Sequence, residues 1–335
     1  MIRFIRLSAM PLDWDAQILR YDTKTLFHES AWLRHVQGIH PTGRIEFYQI
    51  ADEGEQIGLY CALRISKVLI PIQGSPLGGT GTNFMGPLVD RTVDQRSVIR
   101  ALTALFGPRR FVHLEISNPW LDREIMVEAG FDVEEGVTHI CQLPVDVDAA
   151  WGTLKSEARN RIRKAEKNGL IVERADDPAI VQHFFSQFTE VYAKQGMVTP
   201  FGIERPQSLF DCLNGVGRLL PIWVRRDEEI LASGLFPFDD RCIYFWGAGS
   251  WLRHHALCPN EALQWGVMKF ATQQHIPVYN MCGGGSQFKN KFGGEDVPYL
   301  KYNKSSVPLL RMARKFYKAR HFRSLKRREL RAEGA

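Results

Sequence analysis

The sequence predicts an α/β (α+β) protein of two tandem halves, each a mixed, mainly antiparallel sheet flanked by helices, followed by a basic C-terminal helix. Three observations predict it. At 335 residues the chain exceeds the ~250 at which a single core stops growing. Strand-like and helix-like stretches alternate along its whole length, so the order is mixed. Near the middle, Leu143-Pro144-Val145-Asp146-Val147-Asp148 breaks the strand pattern with proline and alternating acids and reads as a connector. The expected units are residues 1–143, 144–305 and 306–335.

In the first half, Phe27, Trp32, Leu33 and Val36 form the apolar stripe of a helix over 25–36. Residues 45–51 and 57–65 then read as two strands around Asp52-Glu53-Gly54-Glu55-Gln56, an antiparallel hairpin. A further strand is expected at 67–71, and the glycine-rich run 74–87 reads as a structured loop. It lacks the Gly-Lys-Ser/Thr of a phosphate-binding P-loop. Helix 94–106, strand 110–116, helix 121–128 and strand 138–143 complete this half.

The second half starts with a helix over 148–168, closed by Gly169. From Lys155 onward it carries six cations against Glu157 and Glu166, with Arg159 and Arg163 four apart on one face. Strand 170–174, helix 178–194, a helical turn at 207–213 and three meander strands at 218–226, 229–238 and 241–249 follow. Helix 260–274 then delivers the chain to a short strand, 276–279, and to Gly283-Gly284-Gly285. Such a glycine run permits an unusual backbone path or a close approach. In the helical turn 286–292 after it, Phe288 and Phe292 share a face and Lys289 is turned away, so an aromatic pair anchors a lysine at a loop mouth.

Composition bounds the rest. With 44% hydrophobic and 24% charged residues the chain has a globular core and no sign of disorder. Six cysteines show neither a CxxC pair nor Cys/His ligand spacing, so neither a metal nor a disulfide framework is expected. That cysteine usage fits a reducing cytoplasm, and with no apolar run of the ~18 residues of a spanning helix the chain is expected to be neither secreted nor membrane-spanning. The net charge of +6 is uneven: from Val307 onward ten Lys/Arg meet two acids, leaving the tail at +8 and the rest at −2. Leu309, Met312, Phe316 and Tyr317 accompany those cations, which suits either an anionic membrane surface, met peripherally from the cytoplasmic side, or an RNA backbone.

The element order of the second half is that of the GNAT acyltransferase fold, and three motifs make 143–303 resemble its Fem-type branch. They are Trp151-x-x-Leu154 with Arg159-Asn160-x-Ile162-Arg163-Lys164-Ala165-x-x-x-Gly169-Leu170, then Pro259-Asn260-x-Ala262-Leu263-x-Trp265, then Phe288-Lys289-x-x-Phe292-Gly293. The first half, with a weaker but similar order, looks like the degenerate partner usual in that family. Asn280 stands where relatives often carry an aspartate, and the long helical arm of some tRNA-dependent members has no counterpart here.

The resemblance implies a donor lying between two splayed strands and an acyl or aminoacyl group passing to an amine of a cell-envelope precursor, lipid-linked precursors included. The donor is acyl-CoA or aminoacyl-tRNA. Trp246, Gly247, Ala248, Gly249, Ser250 and Asn260 are the expected donor-binding residues, the small ones letting backbone N–H groups approach and the helix N-terminus favouring an anion. Lys289, with Phe288 and Tyr279, is the expected catalytic group, neutralising charge at the tetrahedral centre. Arg159, Arg163, Gly283 and Gly284 are expected to hold the acceptor, and Asp240, His254, His255 and Glu261 are candidate proton relays. A silent scaffold that binds polysaccharide or nucleic acid is the rival from another class.

Overall fold

The computed structural model describes residues 1–67, 70–105 and 111–306. The tail after Ser306, and with it the expected basic helix and its membrane or RNA contacts, lies outside them. After β1 (Arg3–Arg6), α1 (Trp14–Ile18) and α2 (Ser30–Gly38), period-two alternation gives the expected hairpin, β2 (Arg44–Asp52) against β3 (Glu55–Lys67). The glycine-rich run joins β4 (Ile70–Ser75) to a short β5 (Leu88–Val89). The Asp94 carboxylate caps α3 (Gln95–Thr103) by accepting from the backbone of Arg96 and Ser97. Next come β6 (His113–Ile116), α4 (Arg123–Glu128) and β7 (Asp132–Gln142), which starts six residues earlier than its apolar run suggests.

The long helix expected over 148–168 is two helices, α5 (Val147–Thr153) and α6 (Ser156–Lys167). Leu154 (ψ 141) and Lys155 (ψ 156) are extended between them. The cause is a distant partner, because Lys155 N donates to Lys291 O at 3.0 Å instead of to the preceding turn. Then follow β8 (Ile171–Arg174), α7 (Ala179–Lys194), α8 (Glu204–Leu213), β9 (Leu219–Arg226) and β10 (Glu229–Pro237). The strand expected over 241–249 is likewise broken at Phe245-Trp246 into β11 (Cys242–Tyr244) and β12 (Gly247–Ser250). The chain ends through α9 (Pro259–Gln273), β13 (Val278–Asn280), α10 (Gln287–Asn290) and β14 (Glu295–Ser305).

Among the described residues, one sheet of ten strands runs β1-β2-β3-β4-β6-β14-β7-β13-β11, with β5 beside β3, and a second of four runs β12-β10-β9-β8. Among the described strands only β4 with β6 and β11 with β13 pair in parallel. Because β14 inserts between β6 and β7, the last strand of the chain completes the sheet begun by the first half. Below the second half, α9 buries Ala262, Leu263, Val267, Met268 and Ala271 against Phe236, Ile243 and Tyr279. A separate cluster joins the halves, with Trp32 and Leu33 of α2 packed among Phe210, Leu213 and Leu235. Each such side chain contributes about 1.5–3 kcal/mol on burial, so the halves are held together by core and not by surface contact.

Candidate active site

β11 and β13 run side by side for three residue pairs, Cys242 with Val278 through Tyr244 with Asn280. The last link is Phe245 N donating to Asn280 O at 2.8 Å. Past it the strands take different partners: β12 pairs with β10, Gly247 opposite Leu235, while Met281 N donates to His139 O on β7 at 2.8 Å. They therefore splay, as the sequence predicts.

The opening holds a cavity of about 780 Å³, lined by Phe245, Ala248, Gly249, Ser250, the first turn of α9 (Asn260, Gln264) and Phe288. His255, Asn260 and Phe288 are shared with a neighbouring cavity of about 790 Å³, whose wall carries Lys155, Arg161 and Lys291 against Glu157 and Glu261. On the other side of Phe245 a cavity of about 270 Å³ is lined by Trp32, Asn83, Phe201, Arg205, Trp246 and Cys282. Phe245 thus separates a larger space from a second, smaller one.

Of the expected donor-binding residues, Ala248, Gly249, Ser250 and Asn260 line the large cavity. Trp246 faces the small one instead, and Gly247 lines neither. The two glycines serve packing of α7 on β12: a Cβ on Gly249 would lie 2.7 Å from Phe188 N, and one on Gly247 2.9 Å from the Phe184 ring. Phe288 lines both large cavities. Tyr279 is fully buried and reaches the site only through its hydroxyl, which donates to Gln264 Oε1 at 2.6 Å.

Lys289 is half-buried at the mouth of the glycine loop, its ammonium donating to the carbonyls of Cys282 and Gly284, and like Gly283 and Gly284 it lines none of the three cavities. Desolvation lowers its pKa, against the smaller opposing pull of Cys282 and Asp296. Gly283 and Gly284 are exposed in that loop, where Cys282 (φ 53) and Gly283 (φ 56) are both left-handed. Asn280 explains itself structurally: its Oδ1 accepts from Thr138 and from Cys282 N at 2.9 Å, tethering the loop to β7.

The acceptor face expected on α6 stands apart from these cavities. Arg159 and Arg163 line none of these three cavities, and Arg163 instead lies 5.4 Å over the Trp151 ring. The α6 cation that does face the site is Arg161. Asp240 is likewise remote, paired at 3.5 Å with buried Lys24 of the first half, and His254 is engaged with Glu229 at 2.9 Å. His255 does reach the large cavity, its Nε2 3.0 Å from Ser250 Oγ, with its pKa lowered by desolvation and by Lys194. Glu261 is buried against Lys291, Oε1 to Nζ 2.6 Å. That pair, which fastens α9 to the end of α10, carries no local signal in the sequence. Among the described residues no cluster of His, Cys, Asp or Glu is arranged to hold a metal, and no helix is long and apolar enough to cross a membrane.

Residues 153–290 match the family model described as an acetyltransferase (GNAT) domain. The chain is similar in structure to FemX (TM-score 0.71, 14% identity, 92% of this chain and 99% of that one). It also resembles the C-terminal domain of an Agrobacterium fabrum protein assigned as a lysylphosphatidylglycerol synthetase (TM-score 0.57, 13% identity, 87% and 93%). A third similar structure is a tandem GNAT protein from the clavulanic acid biosynthesis pathway (TM-score 0.55, 12% identity, 92% and 99%). No curated protein matches the sequence. With its strands parted over the larger cavity, the chain carries a match to the GNAT acetyltransferase domain over residues 153–290 and has the tandem fold of FemX and the tandem GNAT structure.

Proposed function

We propose that the chain is an N-acyltransferase that moves an acyl or aminoacyl group onto an amine of a cell-envelope precursor, such as an amino sugar or a peptide side chain. The observation that carries this reading is the parting of β12 from β13 after Phe245, with a large cavity on one side of that residue and a small one on the other. Two reactants can then meet at one open strand edge without sharing a pocket, which is the positioning that acyl transfer needs. The donor carbonyl lies along Phe245–Ser250, the amine arrives past Cys282, and Lys289 offers an ammonium to the developing oxyanion in a desolvated setting. Desolvation favours the neutral imidazole of His255, a proton acceptor on the wall of the larger cavity.

Acyl-CoA is the usual donor of the fold. Lys155, Arg161 and Lys291 suit its phosphates, and equally those of an RNA. A second reading, transfer from aminoacyl-tRNA to a peptidoglycan precursor, is favoured by one feature. The turn before α9, Leu252–Leu257, has no glycine, and Pro259 at the first helical position brings no N–H. Phosphate recognition then falls to side chains in place of a backbone cradle.

The test offers labelled acyl-CoAs and aminoacyl-tRNAs, with a panel of amines, to the wild type and to Lys289→Ala. Product is expected from one donor class, with turnover down roughly 100-fold in the variant and donor affinity retained. Turnover untouched by the variant, or no product from any donor, would favour the silent scaffold.

A further inference from the structure

The first half of the chain contains a second opening of the same design. β4 and β6 run parallel from Ile72 and His113 to Ser75 and Ile116, and the last link is Ser117 N donating to Ser75 O at 3.3 Å. Beyond it the glycine-rich loop folds back over the sheet, where Gly78 N donates to Glu115 Oε2 at 2.7 Å. Between loop and sheet lies a cavity of about 380 Å³.

Its floor follows from strand register. Tyr299, Lys301 and Asn303 alternate along β14 and so share one face. Lys301 stands opposite Glu134 of β7, Asn303 opposite Glu115 of β6, and Tyr299 opposite Gly136. Any Cβ at Gly136 would lie 2.6 Å from the Tyr299 ring, so the glycine lets that ring cover β7 as a wall. The Lys301 ammonium lies 5.2 Å over the same ring. Asn303 is 6% exposed, and its Nδ2 has no hydrogen-bond partner. Buried amides are nearly always paired, so this covered donor, on a residue that lines the cavity, calls for an acceptor that it can meet when the side chain turns toward a ligand there.

We propose that this cavity is a second ligand site, taking an α-amino acid or the amino-acid end of a peptide. Carboxylates from Glu115 and Glu134 receive the ligand ammonium, Lys301 and Asn303 Nδ2 receive its carboxylate, and Tyr299 packs on the side chain. Opposed charges set within one small polar space recognise a zwitterion better than a plain anion or cation. The cavity meets the small one beside Phe245 at Gly81 and Asn83. Its service as an extension of the acceptor side therefore rests on the function proposed above, whereas the binding itself does not.

Isothermal titration of the full chain with a panel of free amino acids and dipeptides, and with their N-acetyl and C-amide forms, tests it. At least one uncapped member is expected to saturate the protein, capped forms to bind at least tenfold more weakly, and Asn303→Leu and Glu134→Gln each to lose tenfold or more. A dipeptide preferred over its free amino acids identifies a peptide end; the reverse identifies the free amino acid. Glu134 is only partly buried, so its variant decides the matter if Asn303→Leu does not fold. No saturation below about 10 mM, a weak limit for a specific site, overturns the proposal, as does equal binding by capped forms or by Glu134→Gln. Acyl transfer assayed on the same samples separates the two proposals, since it survives if only this one is wrong.

Discussion

Replacing Glu261 by leucine strands a buried cation at the centre of the site. Glu261 and Lys291 are each 5% exposed and are joined at 2.6 Å. Removing one partner of a buried pair costs about 3–5 kcal/mol. Here Glu157, 3.9 Å from the same ammonium, and the Phe288 ring, 4.6 Å beneath it, offset part of that loss, so about 3 kcal/mol is expected. An unfolding entropy near 2.1 cal/mol/K per residue gives about 0.7 kcal/mol/K for this chain, hence a fall in Tm of about 4 °C. Since Lys291 holds the end of α10, donor affinity should fall as well. The double variant Glu261→Leu/Lys291→Met removes both charges and should return to within about 1 kcal/mol of the wild type. Urea unfolding of the four proteins measures the cycle. A double variant as unstable as the sum of the singles, or a Tm within about 1 °C for Glu261→Leu, would refute the assignment of a buried, mutually dependent pair.

Two further outcomes follow from the same physics. Burial lowers the pKa of His28 to about 4 and that of His35 to about 3, both from 6.5. Protonation therefore favours the unfolded chain: stability is full above pH 6.5 and falls as the pH drops toward 4, by on the order of 3 kcal/mol for His28 alone. Urea midpoints across that range check it, and His28→Gln should flatten the slope. Gly249→Val drives a side chain into the α7 backbone at Phe188 and should cost about 1–3 kcal/mol as an overpacked contact. Val191 and Lys194 of α7 also line the large cavity proposed to take the donor, so the variant's donor affinity, read by titration, should drop with its stability.

Much of this fold is legible in the sequence because its signals are local. The hairpin of β2 and β3 announces itself by alternation around Glu53-Gly54, and α9 by Leu263, Val267 and Phe270 at helical spacing. The misread elements have distant causes. An apolar period from Trp151 through Leu154, Ala158 and Ile162 runs on as one helix, yet Lys155 is drawn out of it by Lys291. Likewise 241–249 reads as one strand, and it divides only because β13 and β10 claim its two ends. At the site, Phe288 and Lys289 are visible as a motif beside glycines. On α6 the choice between Arg161 and the Arg159/Arg163 pair turns on how the helix is rotated against α9, which the charges alone do not encode. The insertion of β14 between β6 and β7 is equally a matter of long-range register.

Whether the space between β12 and β13 receives the acyl donor is open to one direct measurement. Ala248 lines the large cavity from the strand edge, and tryptophan there narrows it at the strand opening, whereas Lys289 is held by carbonyls of its own loop. Titrating acyl-CoAs and aminoacyl-tRNAs into the wild type and Ala248→Trp should show saturable binding of one donor class by the first and loss of at least tenfold in the second, with matching Tm values in the absence of donor. Equal donor affinity in both proteins would contradict the account, and so would a wild type that binds neither class.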